Sequence, residues 1–245
     1  NVNRRNGNIR FFEVGNVYKY NKEKWQEAAP YKAYSEDRHL ALWLTGKRIE
    51  GSWIHADEDS SIYELKAYVQ NIFTRVGVSA GALVVSESDN NIFSKALSYK
   101  NRGGKLFAEV GILNMKLLKK MGIEQPVYYA EIDLDALLKS VRNNEFEFEE
   151  ICKYPAVSRD LALLLDKKVS FEQVEQIAFQ TEKKLLKRVE LFDVYEGKNL
   201  PEGKKSYAVN FILQDANKTL NDKAIEAIMQ KLIKQLTTQL GAELR

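Results

Sequence analysis

Apolar residues along this chain keep two different rhythms, and the switches between them mark out its elements. Ile62, Leu65, Val69, Ile72, Phe73 and Val76 recur at steps of three and four up to Gly77, the period of one helical face. Ser61 precedes the run and Glu64 comes three residues after it, the spacing of a capping box that satisfies two backbone N–H groups at a helix start. The other rhythm, dense in branched and aromatic residues, fills residues 9–20, 39–45, 82–86, 96–100, 105–113 and 127–132 and predicts strands. Asn101, Arg102, Gly103 and Gly104 supply a hairpin turn between two of them. Residues 21–37 are polar and carry Pro30, so they read as a mobile loop or a long hairpin connection. The N-terminal part is predicted to be a largely antiparallel sheet with few helices.

Residues 141–150 turn polar and acidic. They read as an extended connector with Phe146 and Phe148 free to dock, or equally as an edge strand, and they put a domain boundary between residues 148 and 149. Beyond it the pattern runs strand, helix, strand, strand, helix, strand, the order of a ferredoxin-like split βαβ domain. Ser170 with Gln173 forms a capping box, Val169 and Val174 occupy staple positions, and Phe171, Val174, Ile177 and Ala178 make the buried stripe of a helix expected to reach about Leu185. Asn221 is the expected N-cap of the second helix and Gly241 its left-handed C-terminal cap. Between them Ile225, Ile228, Met229, Leu232, Leu236 and Leu240 form a stripe that belongs in a core. The fold class is α+β, an antiparallel-sheet domain in residues 1–148 followed by a ferredoxin-like βαββαβ domain in residues 149–245.

In the third strand of that second domain, Tyr207, Val209, Phe211 and Leu213 form an apolar row, while Ser206, Ala208, Asn210, Ile212 and Gln214 form a partly polar one. Helices cover one face of such a sheet, so the second row is the candidate open surface. On the second strand Asp193 and Tyr195 share a face about 7 Å apart. A tyrosine ring is a stacking platform worth roughly 1–3 kcal/mol per base, and an aspartate accepts hydrogen bonds from the N1 and N2 edge of guanine. On the residues alone, a half-buried strand-end tyrosine and a surface carboxylate beside a lysine are the commoner reading.

Composition adjusts this picture little. With 245 residues and 44% hydrophobic content the chain can fill two moderate cores. A net charge of +3 and a pI near 8.7 are too small an excess for a protein that holds nucleic acid mainly by neutralising phosphates. The pairs Lys183-Lys184, Lys187-Arg188 and Lys204-Lys205 could line a backbone path, yet such pairs are more often solvated faces. The single cysteine, Cys152, fits a reducing compartment, and a cytoplasmic location is expected. No apolar run approaches the roughly 20 residues that span a bilayer. His39 and His55 are isolated, Asp57, Glu58 and Asp59 read as a charged loop, and no phosphate loop or zinc-ligand spacing is present. No catalytic or metal-binding residue is assigned. The chain opens on Asn1 and enters a strand-like run at once, so a longer parent is expected.

Several spaced motifs carry a resemblance. Tyr154-Pro155-Ala156-Val157-Ser158-Arg159-Asp160-Leu161-Ala162, Phe192-Asp193-Val194-Tyr195-Glu196-Gly197, Leu200-Pro201-Glu202-Gly203-Lys204-Lys205-Ser206, Asp215-Ala216-Asn217-Lys218-Thr219-Leu220-Asn221-Asp222 and Gly241-Ala242-Glu243-Leu244-Arg245 together resemble the anticodon-binding domain of bacterial phenylalanyl-tRNA synthetase beta subunits. The resemblance implies that this domain grips the anticodon of the phenylalanine tRNA, with Tyr195 stacking on the first anticodon base and Asp193 helping to read it as guanine. Ser206 and Arg159 are implied, less directly, in a base or backbone contact.

The first domain is more diffusely similar to the same subunit, through Arg10-Phe11-Phe12-Glu13-Val14-Gly15-Asn16-Val17, Leu65-Lys66 and Gly111-Ile112-Leu113-Asn114. It looks like the latter half of a class II synthetase-like module. Where an active module carries an ATP-binding arginine, this sequence offers Met115 and Lys116, which implies a non-catalytic relic. The family's enzyme joins phenylalanine to tRNA with ATP and magnesium, its alpha subunit supplying the active site in an α2β2 assembly. The rival reading is a ferredoxin-like regulatory or protein-interaction module without RNA binding.

Overall fold

The computed structural model describes residues 6–144, 148, 150–197 and 199–245. Residues 145–147 and 149 of the expected acidic connector, Phe146 included, lie outside them. The chain divides into two compact units, residues 1–146 and 147–245.

The first unit is built on a six-stranded sheet. Its strands are β1 (Ile9–Tyr20), β2 (Tyr34–Thr45), β5 (Leu83–Glu87), β6 (Phe93–Asn101), β7 (Leu106–Leu113) and β8 (Val127–Asp133), in the spatial order β1-β2-β8-β7-β6-β5 with every pairing antiparallel. A separate two-stranded ribbon pairs β3 (Lys47–Ile49) with β4 (Glu58–Asp59). Helices α1 (Ile62–Val76), α2 (Met115–Lys120) and α3 (Leu134–Ser140) complete the unit. Leu65, Val69 and Phe73 of α1 and Leu137 of α3 are buried with Leu44, Val110, Ala130 and Ile132 of the sheet. The predicted helical period therefore faces the core.

Three details differ from the sequence expectation. The second strand begins at Tyr34 rather than His39, because Tyr20 to Asn16 of β1 pair in register with Tyr34 to Arg38. The connection is correspondingly shorter and holds two single-turn 3-10 helices, Lys22–Lys24 and Pro30–Ala33. The capping box on α1 is only half made: Ser61 accepts the Glu64 N–H, but the Glu64 carboxylate, 9% exposed, binds Arg10 at 3.2 Å and the Tyr68 hydroxyl at 2.8 Å. A guanidinium within reach of a buried carboxylate outcompetes a backbone N–H that water can satisfy.

The second unit contains β9 (Val157–Asp166), α4 (Phe171–Thr181), β10 (Leu186–Tyr195), β11 (Lys204–Leu213), α5 (Asp222–Leu240) and β12 (Glu243–Leu244). The order β10-β11-β9-β12, read from the last strand, is the 4-1-3-2 arrangement of a ferredoxin-like sheet. One core joins the sheet to both helices: Val174, Ile177, Ala178, Ile225, Leu232 and Leu236 meet Leu163, Leu165, Val209, Phe211 and Leu213. The full capping box on Ser170 and Gln173 is present, Asn221 caps α5 through the Ala224 N–H, and Gly241 takes φ 62° at its end.

Helix α4 stops at Thr181, short of the expected Leu185. Glu182 is extended, and its carboxylate accepts the backbone N–H groups of Lys184 and Leu185 at 3.1 Å each, which turns the chain so that Leu186 enters the core at 3% exposure.

Candidate nucleic-acid interface

The alternation of β11 sorts the sheet into two surfaces. Tyr207, Val209, Phe211 and Leu213 are at most 6% exposed and face the helices, while Ala208, Asn210 and Ile212 on the other face are half-buried. Cross-strand register extends that second face outward in three rows. Tyr195, Ser206, Leu164 and Glu243 form one row; Asp193, Ala208 and Ala162 the next; Glu190, Asn210 and Asp160 a third. Rows two residues apart along a strand are about 7 Å from one another.

A bulge makes this arrangement possible. Leu191 pairs with Val209 on the helix side, yet Asp193 pairs with Ala208 on the open side, so the register shifts between them and Phe192 is the extra residue. Phe192 is 60% exposed. The bulge re-aims the last turn of the strand and delivers Asp193 and Tyr195 to the open face together. Ala208 and Ala162, with nothing beyond Cβ, give the middle row a low floor between the taller rows on either side.

Tyr195 is 37% exposed. Its phenol lies against Gly197, where a Cβ would overlap the hydroxyl oxygen and Cζ. Across the ring stands Arg245, its guanidinium carbon 5.5 Å from the ring centre. Ser206, although on the open face, is only 6% exposed. The third row is tied to itself and to the next: the Asn210 side-chain amide donates to Asp160 Oδ1 in its own row and to Ser158 Oγ, the partner of Ile212.

Three of the four sequence-selected residues, Tyr195, Asp193 and Ser206, therefore share one face and adjoin one another. Arg159 does not join them. It pairs with Phe211, in the row that faces the helices, and lies five strand positions from Ser206's partner Leu164, roughly 17 Å away. Its guanidinium reaches Asp222 at the start of α5, 3.7 Å away, and the Ser158 carbonyl at 2.9 Å. The alternation with Leu161, Leu163 and Leu165 held this signal in the sequence. The candidate lysine path also thins: Lys205 is 7% exposed and lies 4.5 Å over the Tyr207 ring, Lys204 is 3.7 Å from Glu243, and Arg188 is bound to Glu190 at 2.7 Å. A hollow of about 530 Å³ in this unit is lined by Cys152, Tyr154, Lys187, Gln214 and Asn217 among others; neither Tyr195 nor Asp193 borders it.

Residues 152–245 match the family model described as a ferredoxin-fold anticodon binding domain. Residues 1–134 match the phenylalanyl tRNA synthetase beta chain CLM domain. The chain belongs to the phenylalanyl-tRNA synthetase beta-chain family. Curated relatives named phenylalanine–tRNA ligase beta subunit agree: those of Bacteroides fragilis, Bacteroides thetaiotaomicron and Porphyromonas gingivalis are 54%, 53% and 47% identical over the whole of this chain. The chain spans 30% of the length of each of these relatives. Among solved structures, a pyrrolysyl tRNA synthetase from Desulfitobacterium hafniense aligns with 56% of this chain and 43% of its own at 18% identity and a TM-score of 0.37, too slight a likeness to carry an argument. Family membership does not favour the rival reading of a regulatory module without RNA binding. Among the described residues, no helix is long and apolar enough to cross a membrane.

Proposed function

We propose that this chain is the part of a phenylalanine–tRNA ligase beta subunit that binds and positions the anticodon of the phenylalanine tRNA. The observation that carries the reading is the delivery of Tyr195, Asp193 and Ser206 to the sheet face opposite α4 and α5, around a floor of two alanines. Tyr195 offers its ring to the first anticodon base, Asp193 accepts from the N1 and N2 edge of a guanine, and Ser206 contacts the base once uncovered. Arg159 has no place in that pocket; a backbone contact at the far end of the sheet is the role left to it.

The first unit is the non-catalytic, class II synthetase-like partner of an alpha subunit that carries out ATP-dependent aminoacylation in the cytoplasm, within an α2β2 assembly. The short helix α2 opens with Met115 and Lys116 behind the Asn114 cap, which gives an ATP phosphate no arginine at that point. Among the described residues no three His, Cys, Asp or Glu side chains converge as metal ligands. The described residues therefore offer magnesium no clustered donor set.

This chain supplies binding energy at a distance from the chemistry. Contacts to the anticodon raise the rate when they are used to hold the acceptor end of the tRNA in reactive geometry. The test is Tyr195→Ala in this chain against an anticodon stem-loop: a loss of about 1–3 kcal/mol is expected for one stacked base, with the thermal transition unchanged. Unchanged binding would remove the stacking role.

A further inference from the structure

The face of Tyr195 is already occupied by a group able to do more than fill space. Arg245 donates its backbone N–H to the Ala162 carbonyl on β9 at 3.0 Å, and β11 lies between β9 and β10. Arg245 lies beyond β9, on the β12 side, so its side chain and that of Tyr195 reach toward each other across both β9 and β11, and the guanidinium carbon comes to 5.5 Å from the ring centre. In the row of Tyr195 itself, Ser206 sits between Tyr195 and Leu164 and is 6% exposed.

We propose that Arg245 is itself a base-binding residue: the first anticodon base enters between the Tyr195 ring and the Arg245 guanidinium, which forms the second wall of the site. The inference rests on the anticodon reading given above and deepens it. A guanidinium is planar, always charged and weakly hydrated, so it stacks on a π-face as a lysine ammonium cannot; arginine planes serve beside aromatic rings as stacking partners for unpaired bases.

A base stacked on both groups needs roughly 7 Å between the outer planes. The guanidinium carbon now stands 5.5 Å from the ring centre, so the arginine has to swing outward to admit a base, a change that side-chain torsions supply while its backbone stays bonded to β9. The entering base then lies beside the Ala208 and Ala162 floor with Asp193 at its edge. Before binding, the arginine holds the tyrosine ring in place, and this lowers the ordering cost of capture.

The experiment compares the wild-type chain with Arg245→Ala, Arg245→Lys, Tyr195→Ala and the Tyr195→Ala/Arg245→Ala double variant, each titrated with a stem-loop carrying the GAA anticodon at low salt. Arg245→Ala is expected to weaken binding about tenfold. Arg245→Lys, which keeps the charge and loses the plane, is expected to recover less than half of that loss on a logarithmic scale. The double variant is expected to lose less than the product of the single losses, since both walls act on one base. Wild-type affinity for Arg245→Lys would overturn the inference in favour of a plain phosphate charge. Wild-type affinity for Arg245→Ala beside a weakened Tyr195→Ala would overturn this inference alone. A Tyr195→Ala chain that binds as the wild type, or a wild-type chain that binds no stem-loop, would overturn the anticodon reading and this inference with it.

Discussion

Gly197 lies so close to the phenol of Tyr195 that a Cβ on it would overlap the hydroxyl oxygen, Cζ and Cε2. The missing side chain is what lets the ring lie where it does. Gly197→Ala is therefore expected to push the Tyr195 ring off its present position and weaken stem-loop binding toward the level of Tyr195→Ala, while stability moves by less than about 1 kcal/mol, since the site is at a strand end. Paired titration and thermal melting check this. A variant with full affinity would show that the ring's position is immaterial.

Asp193→Asn separates reading from holding. The amide keeps one acceptor but replaces the other with a donor facing the guanine N1–H and N2–H groups. The expected result is a loss of discrimination for guanine at the first anticodon base that exceeds the loss of affinity for the other three. Equal losses for all four bases would take the reading role away from Asp193.

What the sequence revealed and what it concealed divide along the range of the interactions. Caps and stripes are local, so Ser170 with Gln173, Asn221 and Gly241 marked both helices of the second unit correctly. Alternation is local too, and it separated the buried and open rows of β11. The end of α4 was concealed because Lys183, Lys184 and Leu185 continue a plausible helix, and only the Glu182 carboxylate, bonded to two following N–H groups, breaks it. The first half of β2 was concealed because Ser35, Glu36, Asp37 and Arg38 are polar and pair only with β1. Arg245 was legible only as part of a closing motif; its place over Tyr195 depends on β12 pairing beside β9, a contact between residues about eighty positions apart.

In the first unit, Gly111 occupies a crowded point where β7 crosses close to β6. A Cβ there would stand 2.5 Å from both Ala96 Cβ and the Lys95 carbonyl oxygen and 2.6 Å from the Phe93 ring. All three neighbours belong to β6, paired with β7, and one is a backbone oxygen, so they have little room to yield. Gly111→Ala is expected to destabilise this unit by about 1–3 kcal/mol, read as an earlier first transition in thermal unfolding with the second unit's transition unmoved.

Glu175 on α4 has its carboxyl held above the usual range, first by burial and then by the neighbouring charge of Glu172. Because the folded-state pKa is raised, the folded chain binds the proton more tightly than the unfolded chain. This favours folding at acid pH, and the advantage is lost as pH rises through the folded pKa. Glu175→Gln is therefore expected to raise the melting temperature of the second unit at pH 7 and to lose that gain as pH falls below the ordinary glutamate value. A gain that persists unchanged at pH 3 would contradict the assignment.

The most direct test of anticodon recognition is titration of this chain with two stem-loops, one carrying GAA and one with its first base changed, at two salt concentrations. Tighter binding of GAA, by a ratio that survives the higher salt while both affinities fall, is the predicted result, since base contacts carry sequence information and phosphate contacts carry the salt dependence. Equal affinity for the two stem-loops at both salts would contradict it.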